Sequence, residues 1–253
     1  MEQYPGVSPH RIVMHNRHDS KYLADVNVRK ALAYAYDYSA VPKIYNGSAE
    51  VSTGPVPPAL AWLRLEPPST RTTSTRPRPP GQVAVAATAA SRSTTSIRRA
   101  STSRRISGDP PAGAAKLNIK VKLTPMVWAN VLSMRTKSET MPQSISLWLA
   151  PLYGDSDALL YSQWDSDSWG RRQLQLLQES QGRRAASRAR TSRSIPKVRA
   201  DLQAQAQRLI VEDCVDIFTG VEKATYVWRS NVKGYVHTPM RERNPLFAEM
   251  WVE

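Results

Sequence analysis

Three features of the sequence predict an α/β fold. Residues 116–124, KLNIKVKLT, alternate apolar and polar side chains, the period of a half-buried strand. Residues 25–38 and 200–212 space their apolar side chains at helical intervals instead. The strand-like and helix-like stretches interleave along the chain, which is the pattern of a mixed sheet flanked by helices.

The first helix is expected over DVNVRKALAYAYDY, residues 25–38, with Asp25 as N-cap. Val28, Leu32, Ala35 and Tyr36 fall on one face, with Ala31 beside them. Residues 46–60 are turn-rich. Asn46-Gly47 is a turn signal, and Gly54-Pro55 with Pro57-Pro58 stiffens an extended stretch. In the strand at 116–124, Leu117, Ile119, Val121 and Leu123 face one way. Lys116, Asn118, Lys120 and Lys122 face the other. Thr124-Pro125 then supplies an N-cap and an N1 proline, so a helix is expected to about Arg135, burying Val127, Val131 and Leu132.

SISLWL at 144–149 reads as a strand running into the loop APLYGDSD, and 157–164 as a short helix behind Asp157. The helix at 200–212 turns Leu202, Leu209 and Ile210 inward, with Ala206 beside them. ATYVWRS and KGYVHTP supply two more short strands around a turn at 231–234.

Composition limits what the chain can do. Its 253 residues suffice for one or two domains with a real core. A single cysteine, Cys214, excludes an intrachain disulfide and any cysteine-based zinc site. His15 and His18 lie three apart, but no third ligand accompanies them; they read as surface histidines and no metal is expected. No window reaches the ~18 apolar residues that span a bilayer. The N-terminal residues lack the apolar centre of a signal peptide, so the chain as written is expected to stay in the cytoplasm.

The net charge is +14, which ordinarily suggests nucleic acid or an anionic membrane. Its distribution argues otherwise. Residues 64–115 hold nine Arg, no Lys and two acids; residues 171–199 hold eight Arg, one Lys and one acid. The rest of the chain is nearly neutral. Both stretches are rich in Arg, Ser, Thr, Pro or Ala, lack aromatics, and show no sustained strand or helix period. Three readings compete: a disordered basic insert, a nucleic-acid-binding arm, and out-of-frame translation of GC-rich DNA. Nucleic-acid arms usually mix Lys with Arg and carry aromatics for stacking. The out-of-frame reading is preferred because each stretch starts and stops abruptly against well-patterned sequence.

Enzyme readings fare poorly. The sequence carries no GxSxG, HExxH, P-loop or GxGxxG pattern. Asp155, Asp157, Asp165 and Asp167 are grouped, but without the glycine and terminal glutamate of an EF-hand loop; they read as a solvated loop.

Five islands, in order, resemble the family 5 bacterial extracellular solute-binding proteins, the peptide and nickel type that serves ABC importers. Asp25-Val26-Asn27-Val28-Arg29-Lys30-Ala31-Leu32-Ala33-Tyr34-Ala35 resembles the family helix D-V-R-V-R-x-A-L-A-Y-A-I-D. Asn46-Gly47, then Gly54-Pro55-Val56-Pro57-Pro58, resembles the NG…GP-P-P element. Leu117-Asn118-Ile119-Lys120-Val121 with Trp128 resembles L-G-I-K-V…W. Ala206-Gln207-Arg208-Leu209-Ile210-Val211-Glu212-Asp213 resembles A-Q-x-I-L-x-E-D. Asn231-Val232-Lys233-Gly234-Tyr235 resembles NVKGY, and Met250 and Trp251 stand near the end.

The resemblance implies an incomplete lobe of the periplasmic-binding-protein type II fold, with a mixed sheet flanked by helices. It divides the chain into 1–63, the start of the C-terminal lobe; 64–115, an atypical segment expected to be disordered; 116–170, lobe strands and helices; 171–199, an atypical Arg-rich segment; and 200–253, a final helix and return strands. Residues 64–115 stand where the family has a helix and a strand, and 171–194 where it has NPEVDALLDEA. Family wording resumes after each, which supports paired frameshifts.

The implied function is that of a truncated substrate-binding component of an ABC importer. Its partners would be an oligopeptide or other small solute and ABC permease subunits, with no cofactor and no catalysis, in an extracytoplasmic location. The alternatives are a basic nucleic-acid-binding protein and a non-functional pseudogene product. Family peptide binders hold the ligand's amino terminus with an Asp placed three residues after a Trp. Here Pro151 or Leu152 occupies that position. Trp148, Tyr153 and Asp155 are the candidate ligand-binding residues, with helix capping the blander role for Asp155.

Overall fold

The computed structural model describes residues 1–16, 22–60, 83–91, 114, 117–134, 141–165, 168, 196–241 and 246–253. Residues 171–194, most of 64–115, His18 and Asp167 lie outside them. A six-stranded mixed sheet organises the molecule. Its strands are β2 (Pro9–Met14), β3 (Ala49–Val51), β4 (Val83–Ser91), β5 (Ile119–Val127), β6 (Ser144–Trp148) and β7 (Asp216–Glu222), in the order β3-β7-β2-β6-β4-β5. β4 runs parallel to both of its neighbours, and the other pairs are antiparallel. Two short ribbons stand apart: β1 (Glu2–Tyr4) pairs with β8 (Ala224–Tyr226), and β9 (Val232–Lys233) pairs with β10 (Trp251–Val252).

Helices cover both faces of the sheet. α1 (Val26–Ala35) and α2 (Ala40–Ile44) lie on one side, where Val28, Tyr36 and Val41 pack with Ile12, Met14 and Ile217. α4 (Asp157–Trp164) and α5 (Pro196–Asp213) lie on the other, where Leu159, Trp164, Ala206 and Ile210 pack with Phe218. α3 (Trp128–Met134) sets Val131 against Val13, Ile145 and Leu147. Apolar area removed from water at about 25 cal/mol per Å² supplies the main drive for these layers.

Local chemistry explains several boundaries. Asp25 caps α1 by accepting the Asn27 N–H at 2.8 Å. Asn46 and Gly47 both take positive φ, 51° and 80°, which makes the tight turn into β3. Arg29 is buried on α1. Its guanidinium donates to the carbonyls of Leu23, Ala24, Asp213 and Cys214 and to the Asp213 carboxylate, tying α1 to the end of α5. A side chain at Gly220 would place its Cβ 2.7 Å from Val41, so glycine lets α2 close over β7.

Charged groups also sit at the sheet's centre. Arg11 donates to Asp216 at 3.1 Å and to Gln163 at 2.6 Å, and its guanidinium lies 4.5 Å from the centre of the Trp164 ring. The Trp164 indole N–H donates to the same Asp216 oxygen at 3.1 Å. A buried pair of this kind needs further hydrogen bonds, and here the Trp164 indole supplies one to Asp216 and the Gln163 amide takes one from Arg11.

Five expectations need correction. Thr124 and Pro125 do not start a helix. They continue β5, which pairs with β4 as far as Val127, and α3 begins at Trp128. A proline fits there because β5 is the edge strand and needs no outward donor. Val127 is accordingly 45% exposed, and only Val131 of the three expected core residues is buried. Residues 83–91 form β4 inside the stretch expected to be disordered. His15 is buried, not a surface residue. Asp157 and Asp165 are buried, so these two are not part of a solvated loop. Of KGYVHTP, residues 233–239, only Lys233 lies in a strand, Val232–Lys233, whose partner is Trp251–Val252.

Candidate functional site

The end of β6 and the loop from it to α4 carry the three predicted site residues. The loop starts from Leu149, whose N–H donates to the Pro9 carbonyl at 3.3 Å, so β2 holds its root. Trp148 is the last residue of β6 and sits opposite His10 in the register. The two rings lie 4.5 Å apart between centres, tilted by 57°. The Trp148 indole N–H is buried and has no hydrogen-bond partner among the described residues.

His10 belongs to a buried chain of hydrogen bonds beneath Trp148. The Thr219 hydroxyl donates to the His10 carbonyl at 2.9 Å. Its oxygen therefore accepts from His10 Nδ1–H at 2.5 Å, which leaves Nε2 to accept from the Ser146 hydroxyl at 3.1 Å. Burial lowers the imidazole pKa to about 3, so the ring is neutral at ordinary pH. A neutral ring under Trp148 fixes the indole without placing a charge beside it.

Tyr153 is 47% exposed, and its hydroxyl donates to Asp157 Oδ2 at 2.7 Å. One oxygen of Asp155, Oδ1, accepts from Arg199 at 2.8 Å, from the Asp157 N–H at 2.8 Å and from Gln203 at 3.4 Å. Asp155 thus takes the N–H of the first residue of α4, as a capping acid does, and bridges to α5 as well.

Tyr153, Asp155 and Asp157 therefore form one unit. Trp148 is not joined to it by any described contact. Trp148 packs on His10, on the face covered by α1 and α2, whereas Asp155 binds α5 on the opposite face. Sequence reasoning missed His10, Ser146 and Thr219, and also Arg199 and Gln203. Their partners are 44 to 209 residues away, so no local spacing could signal them. Among the described residues, no group of His, Cys, Asp or Glu is placed to hold a metal ion, and no helix is long and apolar enough to cross a membrane.

No family model and no curated protein matches the chain. Solved structures do. The murein tripeptide binding protein MppA of Escherichia coli is similar with a TM-score of 0.77 and 15% identity, over 99% of this chain and 49% of its own. The ABC transporter-associated periplasmic binding protein DppA of Helicobacter pylori, in complex with the peptide STSA, gives 0.76 and 20%, over 100% and 48%. The oligopeptide-binding protein AppA of Bacillus subtilis, in complex with a nonapeptide, gives 0.71 and 16%, over 100% and 52%.

The fold is that of a substrate-binding-protein lobe. The chain spans about half the length of each of these proteins, so the lobe is incomplete relative to them. Identities this low carry fold and not function. The three neighbours are themselves binding proteins and not enzymes.

Proposed function

We propose that the chain is a truncated substrate-binding component of an ABC importer. It takes a peptide or related small solute, without catalysis, and delivers it to permease subunits outside the cytoplasm. The observation that carries this reading is the likeness of the whole chain to half of several peptide-binding proteins, at TM-scores of 0.71 to 0.77. Tyr153 in the β6–α4 loop and Trp148 at the end of β6 support it separately, because both are amphipathic rings suited to a ligand surface. Binding proteins of this architecture close two lobes over a ligand, so one lobe is expected to bind weakly.

Native mass spectrometry of the 253-residue chain with a mixed peptide pool tests the reading. Retained peptides are expected, and Trp148→Ala should weaken retention about tenfold, the value of one aromatic contact of ~1.4 kcal/mol. A folded chain that retains no peptide at millimolar concentration would count against the proposal.

A further inference from the structure

We propose that Asn46-Gly47 is a site of spontaneous covalent modification, where the main chain isomerises to isoaspartate when the end of α2 opens. The sequence holds seven asparagines, and Asn46 alone precedes a glycine. The others precede arginine, proline or a β-branched residue. Asn46 takes the left-handed position past α2, with φ 51°, and Gly47 follows at φ 80°. The Asn46 N–H donates to the Lys43 carbonyl at 3.3 Å and the Gly47 N–H to the Pro42 carbonyl at 2.8 Å. These two bonds form a Schellman closure of the helix. Asn46 and Gly47 are both exposed, and no described residue hydrogen-bonds the Asn46 side-chain amide. Apart from chain neighbours, nothing lies within 4 Å of where a Cβ on Gly47 would sit.

Attack of the Gly47 nitrogen on Asn46 Cγ forms an N–Cγ bond and breaks the Cγ–Nδ2 bond. The Gly47 proton leaves with the amide as ammonia, and a succinimide remains. Solvent water then adds across one of its two carbonyl–nitrogen bonds. Breaking the new bond gives aspartate, and breaking the original main-chain bond gives isoaspartate. Glycine offers no side chain to hinder the approach, whereas a stiff β-branched successor does. The Gly47 nitrogen must first leave the Pro42 carbonyl, so the helix closure gates the reaction. Loss of one such hydrogen bond is worth about fivefold in an equilibrium. Isoaspartate carries the Asn46 Cβ in the main chain and lengthens the turn. The Ser48 carbonyl just beyond it accepts the Lys223 N–H at 2.7 Å, and Ala49 then pairs with Glu222. A longer turn therefore loosens β3 on β7.

Ageing the full chain in mildly alkaline buffer, with and without urea, tests this. Peptides are mapped by mass spectrometry with electron-transfer fragmentation, which tells isoaspartate from aspartate. Asn46 is expected to convert before every other asparagine, and urea to speed its conversion about fivefold or more by opening the closure. Amide exchange at 49–51 is expected to rise about fivefold in the converted chain, as loss of one hydrogen bond gives. It should stay unchanged in aged Asn46→Gln, whose longer side chain closes the ring far more slowly. An unmodified Asn46 in both arms, or earlier conversion of another asparagine, would overturn the site. Equal rates with and without urea would overturn the gate. Unchanged exchange at 49–51 after full conversion would overturn the coupling to β3.

Discussion

Strands β2 and β5 lie in one sheet and are held there by different means. β2 is central. Every residue from Pro9 to Met14 is buried, and two of them, His10 and Arg11, are polar groups met by partners from β6, β7 and α4. β5 is the outer strand. Ile119 is buried, while Lys120 and Lys122 point to solvent. At the centre, position is fixed by hydrogen bonds with few alternatives. At the edge, it is fixed by burial of one face, with the lysines blunting the exposed side. The centre should therefore fail sharply when a polar partner is lost, and the edge only when an apolar residue is lost.

Arg11→Ala should have the largest effect. It removes the buried guanidinium that donates to Asp216 and Gln163 and should cost about 3–5 kcal/mol, read as a fall in the urea midpoint. The pair Arg11→Met with Asp216→Leu should recover much of that loss, because both buried charges are then gone. Ile119→Ala comes next, at about 2–4 kcal/mol, as cavity formation beside α1 requires.

Acid should destabilise the centre more than the edge. His10 is neutral when folded, with its pKa lowered to about 3 from an ordinary 6.5. Between these values the unfolded chain binds the extra proton. The stabilisation from neutral His10 is thus complete above pH 6.5 and is lost as the pH falls toward 3, by up to ~1.4 kcal/mol per pH unit. His10→Gln should flatten that slope in urea titrations. Lys122→Ala should change stability least, within about 0.5 kcal/mol, since an exposed lysine contributes little.

The same contrast explains what the sequence made legible. β5 reads plainly because one wet face and one dry face produce an alternating pattern. α1 reads plainly because Asp25 and the spacing of Val28, Leu32 and Tyr36 are local signals. β2 was invisible: PHRIVM mixes proline, histidine and arginine, and its polar residues are explained only by Asp216, Gln163, Ser146 and Thr219. β7 carries Asp216 and Thr219 for the same reason. β4 offers little pattern because alanine fits strand and helix alike, and its place comes from parallel pairing on both sides. The loop of the candidate site was found from Trp148, Tyr153 and Asp155. The ion pair that occupies Asp155 was not, because Arg199 arrives on a helix that starts about 40 residues later.

Amide hydrogen exchange across the sheet tests the central claim most directly, namely that β2 and β7 form the core of the six-stranded sheet. Amides at 11–13 and 217–219 are predicted to exchange most slowly, at the rate of global unfolding. Those at 119–123 should exchange at least about tenfold faster, through local opening of the edge. Exchange at 11–13 as fast as at 119–123 would contradict the account.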